Sequence, residues 1–139
     1  MTADKILIID DEPNIRDIFS LLLKERGFVV ETASTGQEGI NKALKLAPDL
    51  IVLDVHLPDI SGLHVLSRVK AAHPRTQVLI VTAFGTIRNA VEATQMGADD
   101  YLEKPVDNEE FLHVVERALE VKRLREEVES LKVELTNRK

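Results

Sequence analysis

Four stretches of this sequence end in side chains that could do chemistry together. Asp10-Asp11-Glu12 closes one apolar run, Asp54 closes a second, Thr82-Ala83 closes a third, and Lys104-Pro105 follows Tyr101-Leu102-Glu103. Carboxylates brought within a few ångströms of one another repel unless a cation or a proton intervenes. A convergence of Asp10, Asp11 and Asp54 therefore asks for a divalent ion. The donors are all oxygen, the chain has no cysteine, and its four histidines show no metal-binding spacing. That set favours Mg²⁺, which keeps several waters and takes one or two carboxylates plus phosphate oxygens. Thr82 adds a hydroxyl donor and Lys104 a mobile positive charge, both suited to a phosphoryl group whose charge is spread over its equatorial oxygens. Asp54, the acid on the central strand, is then the nucleophile. Metal on one side and lysine on the other neutralise the charge that develops during an in-line transfer.

Each of these residues also has a plainer reading. Asp10 or Asp11 alone fits a helix cap, Asp54 a turn before Leu57-Pro58, Thr82 a structural threonine and Lys104 a solvated lysine. The joint pattern is another matter. If each type matches by chance about one time in ten, five matches at chosen strand ends have odds of about 10⁻⁵.

The elements that must position these groups are legible in the apolar runs. Ile6 to Ile9, Leu50 to Leu53 and Val78 to Val81 are short and rich in β-branched residues, as expected of strands buried on both faces. Weaker runs at Phe28 to Thr32 and around Tyr101-Leu102 bring the set to five, with a helix-period segment between each consecutive pair. Alternation of this kind predicts an α/β fold, a (βα)₅ doubly wound parallel sheet. In such sheets ligands gather outside the carboxyl ends of the strands, where the four polar stretches fall. Thr35 with Glu38 and Asp107 with Glu110 read as N-terminal capping boxes. Gly27, Gly97, Ala47-Pro48 and His73-Pro74 read as helix ends.

The last segment departs from this plan. From about Asp107 onward there is neither glycine nor proline, and the helical pattern runs for roughly 30 residues, well beyond the usual 11 or 12. Counting in sevens puts Val121, Val128 and Leu135 at position a and Leu124 and Leu131 at position d, a narrow coiled-coil seam. Glu120, Glu127 and Glu134 fall at g; Arg125, Lys132 and Lys139 fall at e, so a parallel dimer would pair opposite charges throughout. The expected organisation is a domain over 1–119 and a coiled-coil dimerisation linker over 120–139, continuing the fifth helix. Homodimer contact is expected through residues 114–139. The plainer reading is a single amphipathic helix frayed in solvent.

Composition bounds what the chain can be. It has 139 residues, enough for one ordinary domain and a short appendage, with 44% hydrophobic and 30% charged residues. Eighteen basic against twenty-four acidic residues give a formal net charge of −6, which leaves no general basic surface for direct nucleic acid contact or anionic lipid. No apolar run approaches the roughly 20 residues needed to cross a bilayer, and Met1-Thr2-Ala3-Asp4 does not open a secretion signal. No membrane partner and a cytoplasmic location are expected.

With these residues in place, the sequence resembles a response-regulator receiver domain of two-component signalling, over residues 4 to about 119. The motifs are Asp10-Asp11, Asp54-Val55-His56-Leu57-Pro58 with Gly62 following, Thr82-Ala83 and Lys104-Pro105. The resemblance implies the flavodoxin-like strand order 2-1-3-4-5. It also implies that Asp54 accepts a phosphoryl group from a phosphohistidine on a sensor histidine kinase. Asp10, Asp11, Asp54 and the backbone carbonyl of His56 would hold Mg²⁺, Thr82 and Lys104 would bind phosphoryl oxygens, and the Lys104-Pro105 bond would be cis. Thr82 and Tyr101 would act as the switch pair that alters the face of the fourth and fifth helices. Such a domain is regulatory rather than an enzyme, although it assists its own phosphorylation and dephosphorylation. Thr82-Ala83-Phe84-Gly85-Thr86, Ala90-Val91 and the run from Met96 to Pro105 are similar to receivers of the nitrogen-regulator (NtrC-like) class. In that class a helical linker joins the receiver to an ATPase domain that activates sigma-54 promoters, with a DNA-binding domain beyond; neither pattern lies within this sequence.

His56 stands two residues past Asp54, placed either to shade a phosphoryl group from water or simply to be exposed; His64, His73 and His113 read as surface residues. Two alternatives from other classes remain. One is a small aspartyl-phosphate hydrolase or phosphotransferase, against which stand the Asp-Asp rather than Asp-x-Asp strand end and the lack of a cap insert. The other is a phosphate-independent dimerisation module, against which stands the completeness of the pocket.

Overall fold

Residues 3–83 and 87–137 are described by the computed structural model. Phe84, Gly85 and Thr86 of the class motif, the opening Met1-Thr2, and Lys139 of the heptad pattern lie outside the described residues.

Five strands form where the apolar runs fall: β1 (Lys5–Ile9), β2 (Val29–Ala33), β3 (Leu50–Leu53), β4 (Gln77–Thr82) and β5 (Asp100–Glu103). All pair in parallel, in the order β2-β1-β3-β4-β5. The strand expected at Phe28 to Thr32 begins and ends one residue later, because Phe28 donates its N–H to Leu23 in the preceding helix end rather than to the ladder.

Alternation within the strands divides the core in two. Ile6, Ile8, Leu50, Val52, Leu79 and Val81 face one side, where α1 (Pro13–Glu25) and α5 (Asn108–Asn137) cover them with Phe19, Leu23, Phe111 and Val115. Leu7, Ile9, Ile51, Leu53, Val78 and Ile80 face the other, under α2 (Gly36–Leu46), α3 (Gly62–Ala72) and α4 (Ile87–Gln95). Helices on both faces explain why the central strands carry no polar alternation. Phe19 and Phe111 stack with centroids 4.0 Å apart, joining α1 to α5.

The helix ends use the expected residues with one change. Thr35 caps α2 by accepting from the Glu38 N–H, but the Glu38 carboxylate returns to the N–H of Ser34, one residue before the cap. Asp107 accepts from the Glu110 N–H at the start of α5. Gly27, at φ +87°, follows α1 in the left-handed region that glycine enters without a Cβ penalty. The helix α5 spans 30 residues, of which those up to Leu119 include every buried position. Among the described residues no helix is long and apolar enough to cross a membrane.

Candidate functional site

The sheet register gathers the chemistry at one edge. Ile9 of β1 lies opposite Leu53 of β3, so Asp10 and Asp54 leave the sheet side by side; Thr82 ends β4 opposite Glu103, and Lys104 follows at once. Backbone bonds hold each in place: Asp10 N–H to Ala33 O at 3.1 Å, Asp54 N–H to Ile9 O at 3.0 Å and Lys104 N–H to Thr82 O at 2.9 Å.

Asp10 and Asp54 are built alike. One oxygen of each carboxylate accepts the backbone N–H two residues on, Glu12 at 2.9 Å and His56 at 3.0 Å. This local turn fixes the side chain against its own backbone. The other oxygen of each meets the Lys104 ammonium, at 2.8 Å for Asp10 and 2.9 Å for Asp54. The cap and turn readings of these two acids therefore capture only half of each carboxylate's bonding, and neither Asp10 nor Asp11 occupies the N-cap of α1, which is Glu12.

The pocket is buried and strongly charged. Asp10 is 3% exposed and Asp54 5%. Burial pushes the Asp10 carboxyl above its ordinary range, against the pull of Lys104 and of the Glu12 amide. Burial also opposes the charge on Lys104, but the hydrogen bonds from Asp10 and Asp54 outweigh it and hold the ammonium above its usual value. Asp10, Asp11, Glu12 and Asp54 each bring a carboxylate oxygen within 4.8 Å of the others. Four such oxygens and no nitrogen or sulfur donor fit a hard divalent ion that retains water. The Thr82 hydroxyl is fully buried with no hydrogen-bond partner among the described residues. An unpaired buried hydroxyl costs about 1–3 kcal/mol, a cost that an incoming oxyanion would remove.

Three further residues support the site: Glu12 and Gly62 were named in the sequence motifs without a role of their own, and Arg16 was not named. Glu12 joins the acid cluster and lies 3.4 Å from Lys104; its place directly after Asp10-Asp11 was a visible signal. Arg16 donates to the Asp10 carbonyl at 2.7 Å, one turn into α1, and nothing in the sequence marked it. Gly62 does have a steric reason: a Cβ there would stand 2.2 Å from the Asp54 carbonyl oxygen, and its N–H donates to Val55 O at 2.8 Å. Only glycine lets α3 start that close behind the acid.

Tyr101 sits on β5, half-buried against the α2–α3 side of the core. Burial, then the carboxylates of Glu103 and Asp54, push its phenol above the ordinary value. The Lys104-Pro105 bond is cis, as the resemblance implied. His56, His64 and His113 are exposed, whereas His73, expected at the surface, is half-buried at the end of α3 with its ring 3.4 Å from the Leu44 carbonyl.

Comparison with known proteins fits this geometry. The regulatory protein AtoC of Escherichia coli is 34% identical over 132 residues, spanning 94% of this chain and 29% of AtoC. The nitrogen assimilation regulatory protein NtrX of Azorhizobium caulinodans is 37% identical over 132 residues, again 94% of this chain and 29% of the relative. The crystal structure of NtrX from Brucella abortus superposes with a TM-score of 0.88 at 35% identity, covering 94% of this chain and 30% of that one. The chain thus spans less than a third of these relatives, and the nitrogen-regulator resemblance agrees with the presence of NtrX among them. A family model described as the response regulator receiver domain matches residues 6–116, which takes in the five strands except for Lys5 and all of the acid pocket. The chain belongs to that family of regulatory domains, and its acid cluster is the kind of pocket at which receiver domains bind Mg²⁺.

Proposed function

We propose that this domain is a phosphorylation-controlled signalling module in which Asp54 is the acceptor and a sensor histidine kinase the donor. An oxygen of the Asp54 carboxylate attacks the phosphorus of the kinase phosphohistidine; the P–N bond breaks and the imidazole leaves with its electron pair, to be protonated from solvent. The observation that carries this reading is the held state of Asp54: it is 5% exposed, one oxygen is fixed by the His56 N–H at 3.0 Å and the other faces Lys104 at 2.9 Å. Asp10, Asp11, Asp54 and the His56 carbonyl would hold Mg²⁺, whose charge offsets that of the transferring group. Lys104 and the Thr82 hydroxyl then bind phosphoryl oxygens. The apolar groove of Ile15, Ile18, Phe19, Pro105 and Val106 beside Lys104 gives the kinase a surface next to the acceptor.

Phosphorylation adds about −1.5 to −2 charges beside Thr82 and shifts the population towards a state in which Thr82 moves to the new group and Tyr101 turns in behind it. Hydrolysis of the phosphoryl group, assisted by the same pocket, resets the domain. The expected test uses acetyl phosphate, or beryllofluoride as its mimic, with Mg²⁺. The wild type is modified and Asp54→Asn is not; equal modification of both removes Asp54 from its role. The family does not favour the hydrolase alternative, and steady turnover of a small phosphoester is not expected.

The output is proposed to run through α5. Leu124, Val128, Leu131 and Leu135 are 50–65% exposed on the continuous helix, which supports a dimer through residues 114–139 with the linker over 120–139. Sedimentation of this chain against one ending near Glu120 tests it: two monomers at tens of micromolar would overturn the pairing. In the natural protein an ATPase acting at sigma-54 promoters and a DNA-binding domain would follow, in the cytoplasm. The share of AtoC and NtrX that this chain spans supports that reading.

A further inference from the structure

The tail helix does not leave the domain where its apolar packing ends. Beyond Leu119, the last buried residue, three ion pairs reach back to the amino-terminal edge of the sheet, opposite the acid pocket. Lys122 lies 3.1 Å from Asp49, Arg125 lies 3.7 Å from Asp99, and Arg75 pairs with Glu129. The two receiving acids are themselves fixed. Asp49 accepts the Lys5 N–H at 2.8 Å, and its own N–H and carbonyl join Lys5 and Gln77, so it ties together the starts of β1, β3 and β4. Asp99 accepts from the Val78 N–H at 2.8 Å and from Lys70 at 2.8 Å, just ahead of β5.

We infer that Asp49 and Asp99 form a docking site for the polar face of the tail helix, holding residues 120–129 to the domain and fixing the direction in which the apolar seam departs. The helix pattern supports this. Lys122, Arg125, Glu126 and Glu129 recur at i, i+3, i+4 and i+7 and so share one face. At 100° per residue that face is centred about 130° from the one carrying Val121, Leu124, Val128, Leu131 and Leu135. Docking and pairing therefore overlap only at Arg125, which the heptad count places at e and which here lies against Asp99. The contact is electrostatic rather than packed: between helix and sheet edge lies a groove of about 240 Å³ lined by Pro74, Arg75 and Gln77 opposite the tail. Lys122, 15% exposed, is the best shielded member, and Arg75 and Arg125, at 65% and 66%, contribute less. The anchor joins the tail to the foot of β3, whose other end carries Asp54, and to the foot of β5, whose other end leads to Lys104.

Hydrogen exchange on the whole chain, at a dilution where sedimentation shows a monomer, tests the anchor apart from the dimer. Amides of 120–129 are expected to exchange at least about tenfold more slowly than those of 131–137. Lys122→Met, which keeps the stem and removes the charge, should erase most of that difference while the core amides of β1 and β3 stay protected. Raising NaCl from about 0.05 to 0.5 M should act on the wild type in the same direction. Uniform exchange along 120–137 in the monomer, or a gradient indifferent to both Lys122→Met and salt, would overturn the inference. Neither result bears on whether two tails pair at higher concentration.

Discussion

The two edges of the sheet use the same side chains in different proportion. At the carboxyl edge four acids, Asp10, Asp11, Glu12 and Asp54, gather, and the ion pairs found for them among the described residues all run to Lys104. At the amino edge Asp49, Asp99, Glu126 and Glu129 meet Lys70, Arg75, Lys122 and Arg125, four against four. A balanced cluster satisfies itself and can serve as a joint. Four acids around one cation leave negative charge that the protein does not neutralise and that a divalent ion would offset. Burial strengthens the contrast, since Lys104 is 9% exposed while Arg75 and Arg125 stand largely in solvent.

The sharpest break of this comparison comes from deleting one lysine at each edge. Lys104→Met leaves Asp10 and Asp54 buried beside each other without their shared cation. At pH 7 in the absence of metal it should lower the unfolding free energy by about 3 kcal/mol, the usual scale for breaking a buried pair. Mg²⁺ should restore much of this loss. Lys122→Met should cost about 1 kcal/mol or less, as expected of a partly exposed pair, with no dependence on Mg²⁺. Urea unfolding of both variants with and without Mg²⁺ measures the difference. Equal losses at the two edges would mean that the acid pocket is as self-sufficient as the joint.

Removing one acid from each edge should then move stability in opposite directions. Burial, with the Asp54 charge adding to it, holds the Asp10 carboxyl above its unfolded value. The folded state therefore binds the Asp10 proton more tightly than the unfolded one. Its contribution is greatest in acid and is lost as the pH rises through the folded pKa, so at pH 7 the charge weighs against the fold. Asp10→Asn keeps an oxygen for the Glu12 N–H and should raise the metal-free Tm at pH 7 while weakening Mg²⁺ binding. Asp49→Asn removes the charge that Lys122 meets on the domain, leaving its pair with Glu126, and should lower the Tm by about 2 °C. A lower metal-free Tm for Asp10→Asn would show that Lys104 already balances the pocket.

The carboxyl edge was far more legible in the sequence than the amino edge, for a physical reason. Its residues fall directly after apolar runs, so finding the strands Leu50 to Leu53 or Ile6 to Ile9 also found Asp54 and Asp10. Parallel pairing then aligned the strand ends without any knowledge of side-chain contacts. The three residues of the amino-edge anchor that could have been noticed, Asp49, Asp99 and Lys122, precede strands or lie on a helix that reads as coiled coil throughout. Heptad counting assigns Arg125 to a partner chain because it considers one helix alone; the receiver that lies against the same helix is invisible to it. Arg16 was lost because its bond to the Asp10 carbonyl depends on how α1 leaves the sheet, and the return of Glu38 to Ser34 because a one-residue difference in hydrogen-bond geometry leaves no trace in composition or period. Gly62 was visible as part of a motif, but its reason, a helix start pressed on the Asp54 carbonyl, needed three dimensions.

Asp59 marks a third way of settling an acid, and it should give the smallest effect. It lies in the loop after β3, exposed, and its two oxygens accept the N–H groups of Gln37 at 2.8 Å and Gly36 at 2.7 Å, at the first turn of α2. Those amides, Gln37 first, hold its carboxyl below the ordinary range. Among the described residues the charge meets no lysine; it lies at the positive end of a helix. With a depressed folded pKa, the stabilisation is present above the unfolded value, about 3.9, and is lost as the pH falls through the folded one. Asp59→Ala should therefore lower the Tm at pH 7, and the gap to the wild type should narrow steadily as the pH is brought down to about 3. Melting curves across that range, recorded without metal, decide it. No gap at pH 7 would mean that the loop is held by Ile60 packing against Gly36 rather than by the carboxylate, and a gap that keeps its size in acid would mean that the Asp59 charge is not what stabilises the turn.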